Sequence, residues 1–196
     1  MKRHRLQVWP CIVMGAALLG GCEPPPAPIE VVETTIAQIQ DAITSGQTTC
    51  RMVVQAYLDR IAAYDRAVVD TSPTGRALAA IIATSDVALE AAAASDAARA
   101  ANGGPSSMLD GIPVLLKDNY DTVDMPTTAG CGCWDGNQTT TDAFMVEGLR
   151  ADGAVILAKA SMDEFAVNLS STFSAGQAAG STLDVSSPYN TARNAD

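Results

Sequence analysis

Lys117 is the residue whose type and position best suit a chemical role in this sequence. It follows five mainly apolar residues, 112–116, which come after the turn signal Asp110-Gly111 and predict a short buried strand. Lys117 would then lie at the carboxyl end of a strand, where open α/β sheets bind their ligands. A lysine becomes a useful base when burial favours its neutral amine. The alternative is an ordinary lysine whose stem packs on the sheet while its amine stays in solvent.

The residues around this lysine predict a parallel α/β unit. A second apolar run, 154–158, has the composition of a buried strand, and a helical pattern at 142–151 lies between the two strands. A strand, a crossover helix and a second strand form a parallel unit that is almost always right-handed. Lys159 closes the second strand, and we expect it to be exposed and paired with Asp163 or Glu164.

The other predicted helices are packing elements and not parts of a site. Apolar spacing and stop signals predict helices from Ile36 to about 46, from about 49, and from 86 to 101. A further short helix is expected to begin at 162–166, where acidic residues would occupy its first turn. Only the two strands described above can be assigned from the sequence.

Four motifs, in order and spacing, support a family assignment. They read LDGIPVLLKDN at 109–119, PTTAG at 126–130, GAVILAK at 153–159 and MDEFA at 162–166. Together they resemble the motifs of the amidase signature family. The resemblance extends from about Ile36 to the last residue, and the run SAGQ at 174–177 with SPYN at 187–190 is similar to the lead-in to the family's serine segment.

The resemblance implies a fold, a chemistry and one catalytic residue. The family fold is a large mixed sheet between layers of helices, and its members hydrolyse or transfer carboxamides without a cofactor. They use a serine nucleophile, a bridging serine in an unusual cis peptide, and a lysine that Lys117 matches. The nucleophile is activated by a neighbouring base, which must be neutral to accept a proton. The family usually has serine where this chain has Cys131.

Neither of the family's serine segments occurs within residues 1–196. The chain ends at Asp196, where the bridging-serine segment would begin. We therefore expect residues 31–196 to form the amino-terminal part of an amidase domain, an α/β portion with an incomplete sheet, inactive as written. The alternative is a non-catalytic lipoprotein that keeps an amidase-like scaffold for binding or for no function. The amide substrate, whether peptide, small aliphatic or aromatic, is not specified by these residues.

Residues 1–21 have the features of an export signal. A basic start precedes an apolar stretch, 11–19, and Leu-Gly-Gly-Cys then ends at Cys22, which is the bacterial lipoprotein pattern. We expect Cys22 to be acylated, anchoring the exported chain to a membrane of the cell envelope. One alternative is ordinary signal cleavage that leaves Cys22 as a free thiol. The other is a membrane-spanning helix, but such a helix needs about twenty apolar residues and this run is shorter. The proline-rich segment 22–30 would be an extended tether.

Charge and cysteine usage exclude other classes of function. The chain has 12 Lys and Arg against 22 Asp and Glu, and no basic run after its first five residues, so nucleic acid is not an expected partner. Its only histidine, His4, lies in the export signal, so Cys131 and Cys133 lack the companions that a tetrahedral metal site needs. Once Cys22 is acylated, three thiols remain and at least one stays unpaired.

Overall fold

The computed structural model describes residues 25–65, 67, 80–162 and 165. Within these ranges the chain forms four α-helices and three strands. In chain order they are α1 (Ile36–Thr44), α2 (Cys50–Arg60), β1 (Ile81–Thr84), α3 (Ala88–Asn102), β2 (Pro113–Lys117), α4 (Phe144–Ala151) and β3 (Val155–Ala160). Helix α2 continues into a π-helical turn, Ile61–Asp65, and a 3₁₀ turn spans Gly132–Trp134.

The first two helices, which the spacing of apolar residues predicted, begin at hydroxyl caps. The Thr35 side chain accepts a hydrogen bond from the Gln38 backbone, and the Gln38 side chain accepts one from the Thr35 backbone, forming a capping box. Thr49 caps α2 by accepting from the backbone N–H of Met52. Helix α3 ends before Gly103, which adopts the left-handed conformation that closes many helices.

Helix α4 begins at Phe144, two residues later than the sequence predicts. Asp142 does not cap it, because its carboxylate accepts from Arg150 Nε at 2.8 Å and from the backbone N–H of Val123 at 2.9 Å. The carboxylate therefore joins α4 to the preceding loop. Ala143 occupies the cap position without a side-chain hydrogen bond.

The three strands form one mixed sheet in the order β1-β3-β2. β2 and β3 are parallel, as predicted, and their register pairs Leu116 with Lys159 and Lys117 with Ala160. β1 pairs antiparallel with β3 and is a third strand that the sequence analysis did not assign. The prediction of a buried β2 strand is wrong within the described residues. β2 is an edge strand in which only Leu116 is buried, and Leu115 is 46% exposed.

Two apolar layers cover the faces of β3. On one face Val155 and Leu157 pack in a cluster with side chains of α2 and α3. On the other face Ile156 packs with Leu116 of β2, Val146 of α4 and a loop methionine. Because both faces are covered, β3 is buried along most of its length, as its continuous apolar sequence predicts.

Candidate active site

Lys117 lies where the sequence places it, at the carboxyl end of β2. Its side chain is exposed, and its ammonium has no hydrogen-bond or ion-pair partner among the described residues. Its main-chain carbonyl accepts from the backbone N–H of Tyr120 at 3.1 Å, which turns the chain after the strand. The described residues therefore leave the Lys117 side chain accessible at the end of the strand.

Lys159, in contrast, is fully buried, so the prediction that it would be exposed is wrong. Its ammonium donates to the carbonyls of Tyr120 (2.7 Å) and Pro126 (3.2 Å) and to Thr127 Oγ1 (3.0 Å). It also lies 3.8 Å from Asp118 Oδ1. Burial lowers the pKa of the Lys159 ammonium below its ordinary value, and nearby carboxylates, Asp118 first among them, oppose that shift. Asp163 and Glu164, its expected partners, lie outside the described residues.

Asp118 is a second buried charged side chain, after Lys159, whose environment the sequence analysis did not predict. It is completely buried, and its Oδ2 accepts from the backbone N–H groups of Thr128 and Gly130, each at 3.2 Å, and from the Thr128 hydroxyl. Its carbonyl also accepts from the N–H of Ala129. The motif 126–130 is thereby held beside the strand end that carries Lys117. An acid directly after a strand-end lysine was the available signal, but only the fold shows what it binds.

The backbone of this motif is left-handed at two consecutive residues, Ala129 (φ 52°) and Gly130 (φ 71°). This conformation is unfavourable for alanine, and the hydrogen bonds to Asp118 hold it in place. The N–H groups on either side of Ala129 converge on one carboxylate oxygen, as in the concave backbone sites that bind anions. Here the anion is the chain's own Asp118 side chain.

Cys131 and Cys133 form a disulfide immediately after this motif. Cys131 is buried and Cys133 is exposed, while Cys50 is a free, buried thiol, consistent with the expectation that at least one thiol stays unpaired. Trp134 follows the disulfide and contacts the ring of Phe165 edge-on at 5.5 Å between centroids. No group of three potential metal ligands occurs in the part of the chain that the structure describes.

Several predicted features lie outside the described residues, including Cys22, the export signal and the runs 174–177 and 187–190. Among the described helices, none combines the length and apolarity needed to cross a membrane.

The sequence pattern of the Amidase family matches this chain over residues 52–195, and the chain belongs to that family. The family resemblance and the α/β fold class inferred from the sequence are thereby confirmed. One relative is a glutamyl-tRNA(Gln) amidotransferase subunit from Thermobifida fusca, 42% identical over 146 residues, which cover 74% of this chain and 27% of the relative.

Solved structures give the same assignment. The peptide amidase of Stenotrophomonas maltophilia is 38% identical with a TM-score of 0.60, over 68% of this chain and 26% of that one. An amidase family protein of Bacillus anthracis is 32% identical with a TM-score of 0.62, over 68% and 25%. The chain thus spans about a quarter of the length of these relatives.

Proposed function

We propose that this chain is the amino-terminal part of a hydrolase of carboxamide bonds, with Lys117 as its general base and acid. The observation that carries the proposal is the contrast between the two strand-end lysines. The Lys159 ammonium is engaged by three oxygen acceptors, whereas the Lys117 ammonium has no partner among the described residues. Lys117 is therefore the lysine available for proton transfer.

The proposed chemistry follows the family resemblance. A neutral Lys117 amine accepts a proton from the bridging serine, which in turn accepts one from the nucleophilic serine as that oxygen attacks the amide carbon. The proton then passes to the departing amine, and water hydrolyses the resulting ester. Both serines belong to family segments absent from residues 1–196, so we expect this segment alone not to hydrolyse amides.

Reading the gene beyond codon 196, together with the intact mass of the native protein, tests the first part of the proposal. We expect the reading frame to continue into serine-glycine segments. We then expect the longer protein to hydrolyse simple amides and Lys117→Ala to lower kcat at least 10³-fold, since the base acts as a unit with its nucleophile. Arg51→Ala, an exposed change on α2, is the control that should retain activity.

A native mass equal to residues 22–196 plus lipid, without amide hydrolysis, would instead favour the non-catalytic lipoprotein. In either case we propose that the chain is exported and held at a bacterial membrane by acylation of Cys22. Labelling of cells with a fatty-acid analogue tests this anchor. We expect the label on the wild-type protein and its loss in Cys22→Ser, and an unlabelled wild-type protein would refute the anchor.

A further inference from the structure

Lys159 and Asp118 form a buried charged pair that contacts most of the segment following β2. We propose that this pair, called here the clamp, is a positioning device for the Lys117 site, holding residues 120–130 against the ends of β2 and β3. The inference relies on the proposed function only in naming Lys117 as the base. Neither clamp residue is placed in contact with substrate.

The Lys159 half of the clamp fixes the first part of the segment. An ammonium group has three N–H donors, and all three of its acceptors come from this segment: the carbonyls of Tyr120 and Pro126 and the hydroxyl of Thr127. The segment therefore passes over the buried end of β3 at three fixed points. A hydrophobic side chain of the same length could fill this space but could not bind these oxygens.

The Asp118 half fixes the second part. One of its oxygens binds Thr128 and Gly130 through three donors, closing the left-handed turn at Ala129. The other oxygen, Oδ1, has no hydrogen-bond partner among the described residues and faces Lys159 at 3.8 Å. Among the described residues each clamp residue makes its only ion pair with the other, so removing one partner leaves a buried charge without that pair.

The clamp acts on Lys117 through the backbone. Asp118 follows Lys117 directly, in the turn after β2, and the exposed Lys117 lies between the buried Leu116 and the buried Asp118. The carbonyl of Lys117 accepts a hydrogen bond from the N–H of Tyr120. The carbonyl of Tyr120 in turn accepts one from the Lys159 ammonium. The backbone position of Lys117 and the position of the turn at 128–130 are therefore set by the same two buried residues.

Amide hydrogen exchange in the full chain tests the clamp without any need for activity. Lys159→Met keeps the length of the side chain and removes its donors. We expect exchange at the Thr128 and Gly130 amides to rise at least about tenfold more than at the Val155 amide, which bonds to Ile112 within the core. Lys117→Met, the same change at the neighbouring exposed lysine, should leave all three amides unchanged.

A merely structural role would raise exchange at all three amides in proportion to lost global stability, and that outcome would overturn the proposal. If Lys159→Met does not fold, Thr128 provides a milder test. Thr128→Val removes the hydroxyl donor to Asp118 and should release the Gly130 amide, whereas Thr128→Ser keeps the donor and should preserve its protection. Equal exchange in these two variants would also refute the clamp.

The outcomes separate the clamp from the proposed function. Faster exchange at residues 128 and 130 in a longer protein that carries the serine segments, yet does not hydrolyse amides, would support the clamp and refute the hydrolase. Amide hydrolysis with unchanged exchange in Lys159→Met would refute the clamp and support the hydrolase. In a hydrolytically active protein, Lys159→Met should lower kcat at least about tenfold while KM changes less, since the clamp orients the base and does not contact substrate.

Discussion

Cys50 is a buried thiol at the start of α2, where its Sγ lies 3.5 Å from Ser95 Oγ. Burial, the main cause, raises the pKa of this thiol from 9.0 to about 11. Between these pH values the unfolded chain releases the thiol proton while the folded chain retains it. The stability that Cys50 contributes is therefore complete below pH 9 and is lost as the pH rises through about 11.

We predict that the free energy of unfolding falls between pH 9 and 11 by up to about 3 kcal/mol because of Cys50. Urea unfolding of the wild type and of Cys50→Ala across this range measures the effect. The lowered pKa of Lys159 acts in the opposite direction, but it is present in both proteins and cancels in the difference. Parallel pH profiles for the two proteins would contradict the prediction.

The disulfide between Cys131 and Cys133 closes a ring of only three residues, so it constrains the unfolded chain weakly. We predict that its reduction lowers the free energy of unfolding by only about 1–2 kcal/mol. Urea unfolding with and without a thiol reductant measures this loss, and the double variant Cys131→Ser/Cys133→Ser should show no response to reductant. A loss above about 4 kcal/mol would mean that the bond supports native contacts beyond its own turn.

At the scale of single residues, the sequence predicted position better than environment. The place of Lys117 at a strand end followed from an apolar run with a charged stop. The burial of Lys159 did not, because the same sequence signal also describes an exposed lysine. What buries it is the convergence of acceptors from residues 120–127, more than thirty positions earlier in the chain. Local pattern contains no information about that convergence.

Gly111 precedes β2 and shows how closely the helices approach the sheet. It has φ +73°, and a Cβ atom built on it would lie 2.2 Å from Cys50 Sγ and 2.9 Å from Ser95 Oγ. Ser95 also donates a hydrogen bond to Asp110 Oδ1. The atoms that an added Cβ would meet therefore belong to hydrogen-bonded side chains and not to the ends of flexible ones. Only glycine meets both the conformational and the steric requirement.

Gly111→Ala should therefore lower the free energy of unfolding by at least about 3 kcal/mol, combining overpacking with left-handed strain. Gly136→Ala is the matched control, since Gly136 has φ +74° and its added Cβ would meet nothing within 4 Å. The control should lose only about 1–2 kcal/mol. Thermal or urea unfolding of both variants measures the difference, and equal losses would show that contact with Cys50 has no energetic effect.

Elements with local signals were predictable, and those defined by distant pairing were not. α1 and α2 begin at hydroxyl caps, and α3 ends at a left-handed glycine. Each of these helix ends is therefore determined by residues next to it in the sequence. β1 has only four residues, and its partner β3 lies more than seventy positions later. The exposed side of β2 was missed for a related reason, because an apolar run does not reveal whether a strand is central or at an edge.

At the scale of the whole described chain, two apolar layers share β3. Leu157 faces the layer with α2 and α3, and its neighbour Ile156 faces the layer with α4. Both side chains are almost completely buried, with 4% and 1% exposed. Truncation of Leu157 therefore weakens the layer with α2 and α3, and truncation of Ile156 weakens the layer with α4, although both residues belong to β3.

We predict that Leu157→Ala and Ile156→Ala each lower the free energy of unfolding by about 2–5 kcal/mol, and that each shifts one common transition. Urea unfolding followed by circular dichroism and by tryptophan fluorescence should give coincident curves in both variants. Separate transitions in either variant would show that the layers unfold independently. The α/β class was predictable from the alternation of elements, whereas the sharing of β3 depends on strand order, which the sequence does not encode locally.

The strand order also has a consequence for synthesis on the ribosome. β1 and β2 are not paired with each other, and both depend on β3, which is the last of the three to be translated. At ordinary rates of translation, β1 waits roughly 4–15 s for the partner that lies about 75 residues downstream. In the later part of that interval, once β2 has also been translated, the nascent chain exposes two unpaired strands, and unpaired strand edges are sites of aggregation and chaperone binding. The emergence of Val155–Ala160 from the ribosome is thus the event that allows this sheet to form.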